Sequence, residues 1–142
     1  MTARQVLLVE DDASDEKLTR HALNRSGVDI DVVVARDGAA ALDLLARALD
    51  SALPAVVLLD LKLPRVDGID VLRRIRSNPR TRLVPVVVLT SSNEDEDVRQ
   101  SYAAGANAYV RKSVDFGQFS HAVGLIGAFF AGINELPRAV NG

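Results

Sequence analysis

The sequence predicts an α/β fold: a doubly wound, five-stranded parallel sheet with helices on both faces. Short apolar, β-branched segments alternate five times with longer amphipathic segments. The apolar segments are continuous rather than alternating, which indicates strands covered on both faces. The length of 142 residues suits a single domain. We therefore expect one domain over residues 1–142, with a core at about 5–133 and a short C-terminal tail at 134–142.

The five strands are predicted as apolar runs, each followed by a helix. The strands lie at 5–9, 31–35, 55–60, 85–90 and 108–112. The helices lie at 14–27, 37–50, 69–77, 93–105 and 115–133. Gly27 and Gly105 are expected to end the first and fourth helices, and Asp37 to cap the start of the second.

Composition excludes several classes of function. The net charge is −2 and no block of Lys and Arg dominates a segment, so nothing favours nucleic-acid binding. Cysteine is absent, which excludes disulfides and thiolate metal sites. The N-terminal segment is too short and acidic for a signal peptide, and the apolar stretch at 121–133 is too short for a membrane span. We expect a soluble cytoplasmic protein.

Polar side chains follow the predicted strands at the ends where ligands bind in open α/β sheets. Asp11 and Asp12 follow the first strand, Asp60 ends the third, Thr90 the fourth and Lys112 the fifth. A flavodoxin-like strand order of 2-1-3-4-5 places the first and third strands side by side. The three carboxylates are then expected to converge at one edge, near the lysine and the threonine.

Three carboxylates in one crevice require a cation, and oxygen ligands suit Mg²⁺. With Lys112, the metal balances the negative charge and lets a phosphoryl group approach. An Asp carboxylate can attack phosphorus and form an aspartyl-phosphate. The metal, the ammonium and the hydroxyl of Thr90 would then hold the phosphoryl oxygens.

Four motifs in this order resemble the receiver domain of two-component response regulators. They are "LLVEDD" at 7–12, "VVLLDLKLPRVDG" at 56–68, "VVVLTSS" at 86–92 and "AYVRK" at 108–112. The resemblance extends from about 5 to 133 and implies a CheY-like fold. The segments around the fourth strand and the last helix are most similar to the stand-alone regulators that partner bacterial phytochromes.

The resemblance implies specific roles at the metal site. Asp60 would be the phosphoacceptor and a metal ligand, and Asp12 a direct Mg²⁺ ligand. Asp11 would bind the metal through water, and the backbone carbonyl of Lys62 would complete the shell. The side chain of Lys62 would lie at the rim, where the family varies the access of water.

The resemblance also implies roles for residues beside the phosphoacceptor. Thr90 would be the switch hydroxyl, Lys112 the phosphate-binding cation and Tyr109 the aromatic that turns inward when the threonine moves. Family members usually have a proline after the lysine, preceded by a cis bond, whereas this chain has Ser113. Because a cis bond before a residue other than proline costs about 3–4 kcal/mol, we expect the Lys112–Ser113 bond to be trans.

The leading hypothesis is a phosphorylation-driven switch rather than an enzyme. A sensor histidine kinase, for which a bacterial phytochrome is the candidate, would phosphorylate Asp60; only slow self-dephosphorylation would follow. An alternative is a haloacid-dehalogenase-like phosphatase, but that family needs a second acid where this chain has Lys62. A flavodoxin-like cofactor binder is a third hypothesis, but the segment "EDDASD" at 10–15 would repel phosphate without a metal.

Several residues receive a structural interpretation. For Glu10 we favour a solvent-reaching or locally hydrogen-bonded acid over a metal ligand, and for Ser91 and Ser92 small residues that leave the site entrance open. His21 and His121 are expected on helix surfaces. Since Phe129 and Phe130 are adjacent, one helix cannot bury both, so an exposed phenylalanine suggests a homodimer through the last helix; the alternative is that the tail covers it.

Overall fold

The structure is a computed structural model of the chain. It describes residues 4–112 and 115–137. The prediction of a trans bond between Lys112 and Ser113 lies outside the described residues.

The described residues form a five-stranded parallel sheet in the order β2-β1-β3-β4-β5, which confirms the predicted fold class. All four pairings are parallel, and β1 lies between β2 and β3. The strands are β1 (Arg4–Val9), β2 (Ile30–Ala35), β3 (Val56–Leu59), β4 (Val86–Thr90) and β5 (Ala108–Arg111).

Helices follow the strands as expected, although several of their bounds differ from the predicted ones. They are α1 (Ala13–Asn24), α2 (Gly38–Arg47), α3 (Gly68–Ser77), α4 (Asp95–Ala104) and α5 (Phe116–Gly127). Helix α5 continues as a π-helical segment, Ala128–Ile133, and a short 3₁₀ turn, Asp50–Ala52, follows α2.

The predicted end of the first helix at Gly27 is wrong. Helix α1 ends at Asn24, where the backbone N–H of Arg25 closes the last turn, and Gly27 lies in the following turn with φ of +83°. Helix α2 also ends before its predicted limit, at Arg47, and Arg80 donates hydrogen bonds to carbonyls of its last turn. Gly105 does end α4, in the left-handed conformation that glycine adopts without strain.

The core has two layers because successive residues of each buried strand point to opposite faces of the sheet. Helices α1 and α5 cover one face, and α2, α3 and α4 cover the other. The first layer includes Leu8, Leu23, Leu58, Phe119 and Val123. The second includes Leu7, Leu45, Val57, Leu72 and Ile75. The helices therefore leave only the edges of the sheet open to solvent.

The last helix differs from one expectation: the sequence predicted no stretch long enough to span a membrane, but Phe116–Ile133 has the length of a span. Within the part of the chain that the structure describes, it is one helix that meets the length and composition of a span. Phe119 and Val123 on this helix are nevertheless buried in the layer shared with α1. Such buried contacts with the sheet are typical of a core helix in a folded domain.

Candidate functional site

Backbone hydrogen bonds bring the predicted polar residues to one edge of the sheet. The N–H of Asp60 donates to the carbonyl of Val9 at 3.1 Å, which places the end of β3 beside the end of β1. The N–H of Lys112 donates to the carbonyl of Thr90 at 2.8 Å, extending the pairing of β5 with β4. Glu10 directly follows β1. The side chains at these strand ends therefore meet at the carboxyl-terminal ends of the strands, which we call the carboxyl edge of the sheet.

Three carboxylates form a compact cluster at this edge. Oxygen atoms of Glu10, Asp11 and Asp60 all lie within 4.8 Å of one another. Glu10 and Asp60 are buried, whereas Asp11 is exposed. Three anionic oxygen donors with one side open to water match what Mg²⁺ requires, since this ion keeps several of its waters. The residues present therefore fit a divalent metal.

Asp12 caps the start of the first helix. Its Oδ1 accepts a hydrogen bond from the backbone N–H of Asp15 at 2.8 Å, so Asp12 is the N-cap of α1. A cap carboxylate satisfies an otherwise unpaired helix donor. Glu10, for which we favoured a role away from the metal, lies in the acidic cluster with Asp11 and Asp60. A direct contact of Asp12 with a metal stays a prediction.

The ammonium of Lys112 lies among carboxylates. Its Nζ is 2.5 Å from Oε1 of Glu10, 2.9 Å from Oδ2 of Asp15 and 2.9 Å from Oδ2 of Asp60. Burial alone would lower the pKa of Lys112, but the hydrogen bonds to these carboxylates outweigh burial and raise it. Lys112 is therefore a fixed positive charge beside Asp60 at any physiological pH.

Glu10 is the most perturbed acid of the site. Burial raises its pKa to about 7, against the opposing effect of its hydrogen bond with Lys112. Its second oxygen accepts a bond from the N–H of Asp12 at 3.2 Å. The interpretation of Glu10 as a locally hydrogen-bonded acid thus describes these contacts, although the residue also belongs to the cluster.

The loop after β3 folds tightly against Asp60. The N–H of Lys62 donates to Oδ1 of Asp60 at 3.1 Å, while the Lys62 side chain is exposed. At the start of α3, a Cβ on Gly68 would lie 2.4 Å from the carbonyl oxygen of Asp60 and 2.6 Å from Cα of Leu61. Only glycine permits this approach. The metal contact predicted for the Lys62 carbonyl stays a prediction.

The loop after β4 joins Thr90 to Tyr109 through Ser92. The Ser92 N–H donates to Oγ1 of the fully buried Thr90 at 3.4 Å, and the Ser92 carbonyl accepts from the Tyr109 hydroxyl at 3.2 Å. The Ser92 hydroxyl also donates to a carboxylate oxygen of Asp97 in α4. Ser92 is therefore buried and hydrogen-bonded, in contrast to the passive role that the sequence suggested.

Asp15 is a site residue that the sequence analysis missed. It lies in the first turn of α1, and its carboxylate reaches Lys112 from the side of that helix. Its place three positions after the N-cap is sufficient local reason for an acid there, so no sequence signal marks its long-range contact with Lys112.

Only one of the two adjacent phenylalanines packs against the core, as expected. Phe130 packs against the core layer that contains α1 and α5, whereas Phe129 is 47% exposed. Their rings meet edge to face with centroids 5.1 Å apart. The two predicted surface histidines, His21 and His121, are both exposed.

Comparison with known proteins agrees with the geometry. The family model of the response regulator receiver domain matches residues 6–124. The response regulator Rcp1 of Synechocystis is 38% identical over 94% of this chain and 93% of its own length. Its Mn²⁺-bound structure superposes with a TM-score of 0.85 at 36% identity, covering 94% of this chain and 99% of that one.

Two further solved structures are similar. The phosphorylated cyanobacterial phytochrome response regulator RcpA has a TM-score of 0.88 at 36% identity, covering 96% of this chain and 99% of that one. The bacteriophytochrome response regulator RtBRR has a TM-score of 0.73 at 51% identity, covering 96% of this chain and 85% of that one. These matches confirm the resemblance drawn from the motifs. The chain belongs to the response regulator receiver domain family of two-component signalling.

Proposed function

We propose that this chain is a stand-alone response regulator that receives a phosphoryl group on Asp60 from a sensor histidine kinase in the cytoplasm. The observation that carries the proposal is the position of the Asp60 carboxylate, which lies between the acidic cluster with Glu10 and Asp11 and the ammonium of Lys112. An acidic cluster can hold a metal, and a neighbouring ammonium can bind a phosphoryl oxygen.

The chemistry is an in-line displacement at phosphorus. A carboxylate oxygen of Asp60 forms the new P–O bond as the P–N bond of a phosphohistidine breaks, and the electron pair of that bond returns to the imidazole. With an acyl phosphate as donor, a P–O bond breaks and the carboxylate leaves. Lys112 stabilises the charge on the transferring group and then donates to a phosphoryl oxygen.

Asp11, Asp12 and Asp60 would hold the Mg²⁺, together with the carbonyl of Lys62, and Glu10 lies in the same acidic cluster. When bound, the metal supplies positive charge that neutralises the phosphoryl oxygens. The donor set supports this proposal, as does the relative Rcp1, which has a Mn²⁺-bound structure. Asp12 would bind the metal directly while its Oδ1 caps α1.

We place Thr90 and Tyr109 in the response to phosphorylation. Movement of the Thr90 hydroxyl toward the phosphoryl group would disturb its contact with the Ser92 N–H, and the Ser92 carbonyl carries the bond from Tyr109. This chain of contacts would transmit the change to α4 and β5. The kinase would be a phytochrome, by analogy with RcpA and RtBRR, which are phytochrome regulators.

The phosphatase alternative is not favoured. It needs a second acid two positions after the nucleophile, whereas Lys62 stands there with its side chain exposed. The only turnover expected of the chain is transfer to its own Asp60 and the slow hydrolysis that follows.

The test is labelling from acetyl phosphate with Mg²⁺, followed by mass spectrometry. We expect the wild-type chain to gain one phosphoryl group and Asp60→Asn to gain none, because the amide is not a nucleophile toward phosphorus. Asp95→Asn is the matched control, since Asp95 is an exposed acid of α4. Undiminished labelling of Asp60→Asn would refute the proposal.

We also propose that phosphorylation promotes a homodimer through the last helix and its neighbours. Leu125, Phe129 and Ile133 are exposed on consecutive turns of α5 and its π-helical extension, which supports an apolar contact with a second copy. Light scattering with the phosphoryl mimic beryllofluoride should show a dimer that Phe129→Glu weakens. A wild-type monomer in both states would end this proposal.

A further inference from the structure

We infer that Asp15 is a positioning residue that holds Lys112 in place for phosphoryl transfer to Asp60. The inference rests on the function proposed above. It concerns a residue of α1 that does not belong to the acidic cluster formed by Glu10, Asp11 and Asp60.

The first step of the argument is the match between donors and acceptors. A lysine ammonium has three N–H donors. Nζ of Lys112 has three carboxylate partners, at 2.5 Å in Glu10, 2.9 Å in Asp15 and 2.9 Å in Asp60. Two of these partners, Glu10 and Asp15, keep their carboxylates throughout the proposed reaction, whereas Asp60 becomes an acyl phosphate. The two unreactive partners therefore fix the direction of the third N–H.

The second step concerns the support of Asp15 itself. Its backbone N–H donates to Oδ1 of Asp12 at 2.8 Å, which fixes the first turn of α1. The Lys112 side chain is only 12% exposed, so the ammonium has little room to find another position. Asp15 thus binds the buried ammonium of Lys112 from the first turn of α1, and Asp12 caps that same turn.

The third step is the exchange of acceptors during transfer. When Asp60 forms its bond to phosphorus, the N–H directed at Oδ2 of Asp60 can pass to a phosphoryl oxygen while the bonds to Glu10 and Asp15 persist. The cation then needs no reorganisation in the transition state, which is the condition for effective electrostatic stabilisation. Without Asp15, Lys112 keeps one unreactive partner and gains freedom to rotate about it.

The experiment compares Asp15→Ala with Glu16→Ala. Both variants remove one carboxylate from the first turn of α1, but Glu16 pairs with Arg20 and Arg36 rather than with Lys112. With acetyl phosphate and saturating Mg²⁺, we expect labelling of Asp60 to slow about two- to fivefold in Asp15→Ala, the size set by a partly exposed ion pair. Glu16→Ala should label at the wild-type rate. Asp15→Asn, which keeps an acceptor oxygen, should fall between.

A double-mutant cycle shows whether Asp15 acts through Lys112. In a Lys112→Met background, the further change Asp15→Ala should leave the remaining labelling rate unaltered. Mg²⁺ affinity and the denaturation midpoint, measured on the single variant, should stay at the level of Glu16→Ala.

The outcomes separate this inference from the proposed function. If the wild-type chain is labelled but Asp15→Ala matches it, the positioning role is overturned and the function stands. The role is also overturned if Asp15→Ala slows labelling as much in the Lys112→Met background as in the wild type. If the wild-type chain takes up no phosphoryl group, the proposed function fails, and the role of Asp15 fails with it.

Discussion

Two partly buried cations, Lys112 and Arg76, lie in different regions of the molecule, and they bind acceptors of different charge. Lys112 contacts three carboxylates at the carboxyl edge of the sheet. Arg76 in α3 contacts neutral oxygens where α3, β4 and β5 meet. The acceptors of its guanidinium are the carbonyls of Gly105, Arg82 and Val84 and the side-chain oxygen of Asn107.

The pKa shifts follow from these partners. Burial lowers the pKa of Arg76, whereas for Lys112 the carboxylates outweigh burial and raise it. The acceptors around Arg76 are three backbone carbonyls and the side-chain amide of Asn107, which carry no charge. The carboxylates around Lys112 can bind a metal or accept a phosphoryl group. The comparison teaches that a buried cation among neutral acceptors supports the fold, while one among exchangeable anions serves chemistry.

The largest effect on stability is expected from Arg76→Met. Loss of the hydrogen bonds to the loops before β4 and before β5 should lower the free energy of unfolding by about 2–4 kcal/mol. The folded fraction should still label at the wild-type rate, because Arg76 lies away from the acidic edge. Urea denaturation and the labelling assay measure the two quantities. A slower labelling rate per folded molecule would contradict the assignment of a purely structural role to Arg76.

Lys112→Met should show the opposite pattern. We expect phosphoryl uptake to fall on the order of 100-fold, as for removal of a preorganised charge from a transition state. The free energy of unfolding should fall less than in Arg76→Met, since Glu10 can take up a proton once the ammonium is gone. Labelling at the wild-type rate would show that the metal alone supplies the positive charge.

Mg²⁺ should have a smaller, selective effect on the acidic edge. At ten times its dissociation constant, a ligand that binds only the folded state stabilises it by about 1.4 kcal/mol. Thermal unfolding with and without Mg²⁺ should show this gain in wild type and in Asp95→Asn, and much less of it in Asp11→Asn. An equal gain in all three chains would place the metal elsewhere.

The sequence was sufficient to predict the strand order and the meeting of Asp60 with Lys112. The order is the flavodoxin-like one expected of five alternating strand–helix units, and the meeting follows because parallel strands end at one edge of the sheet. The choice of Asp11 and Asp12 as metal ligands stays a prediction. The sequence did not predict that Glu10 lies in the same acidic cluster, because a shift of one residue changes the direction of a side chain. The capping pattern of Asp12 with Asp15 three positions later was a usable signal for the start of α1.

Ser92 and Asp15 could not be identified in the same way. Their roles come from contacts with Tyr109 and Lys112, which lie on β5 and after it, far along the chain. Local patterns carry no information about such partners. A serine after a strand and an acid in the first turn of a helix both have sufficient local explanations.

The close approach of Gly68 to Asp60 has a consequence for how this protein can be varied. A single methyl group at position 68 would collide with the backbone of the phosphoacceptor. Within the loop after β3, sequence change that adjusts the chemistry is thus left to side chains that point outward, such as the exposed Lys62. An engineer seeking a longer- or shorter-lived phosphoryl state should vary Lys62 and leave Gly68 unchanged.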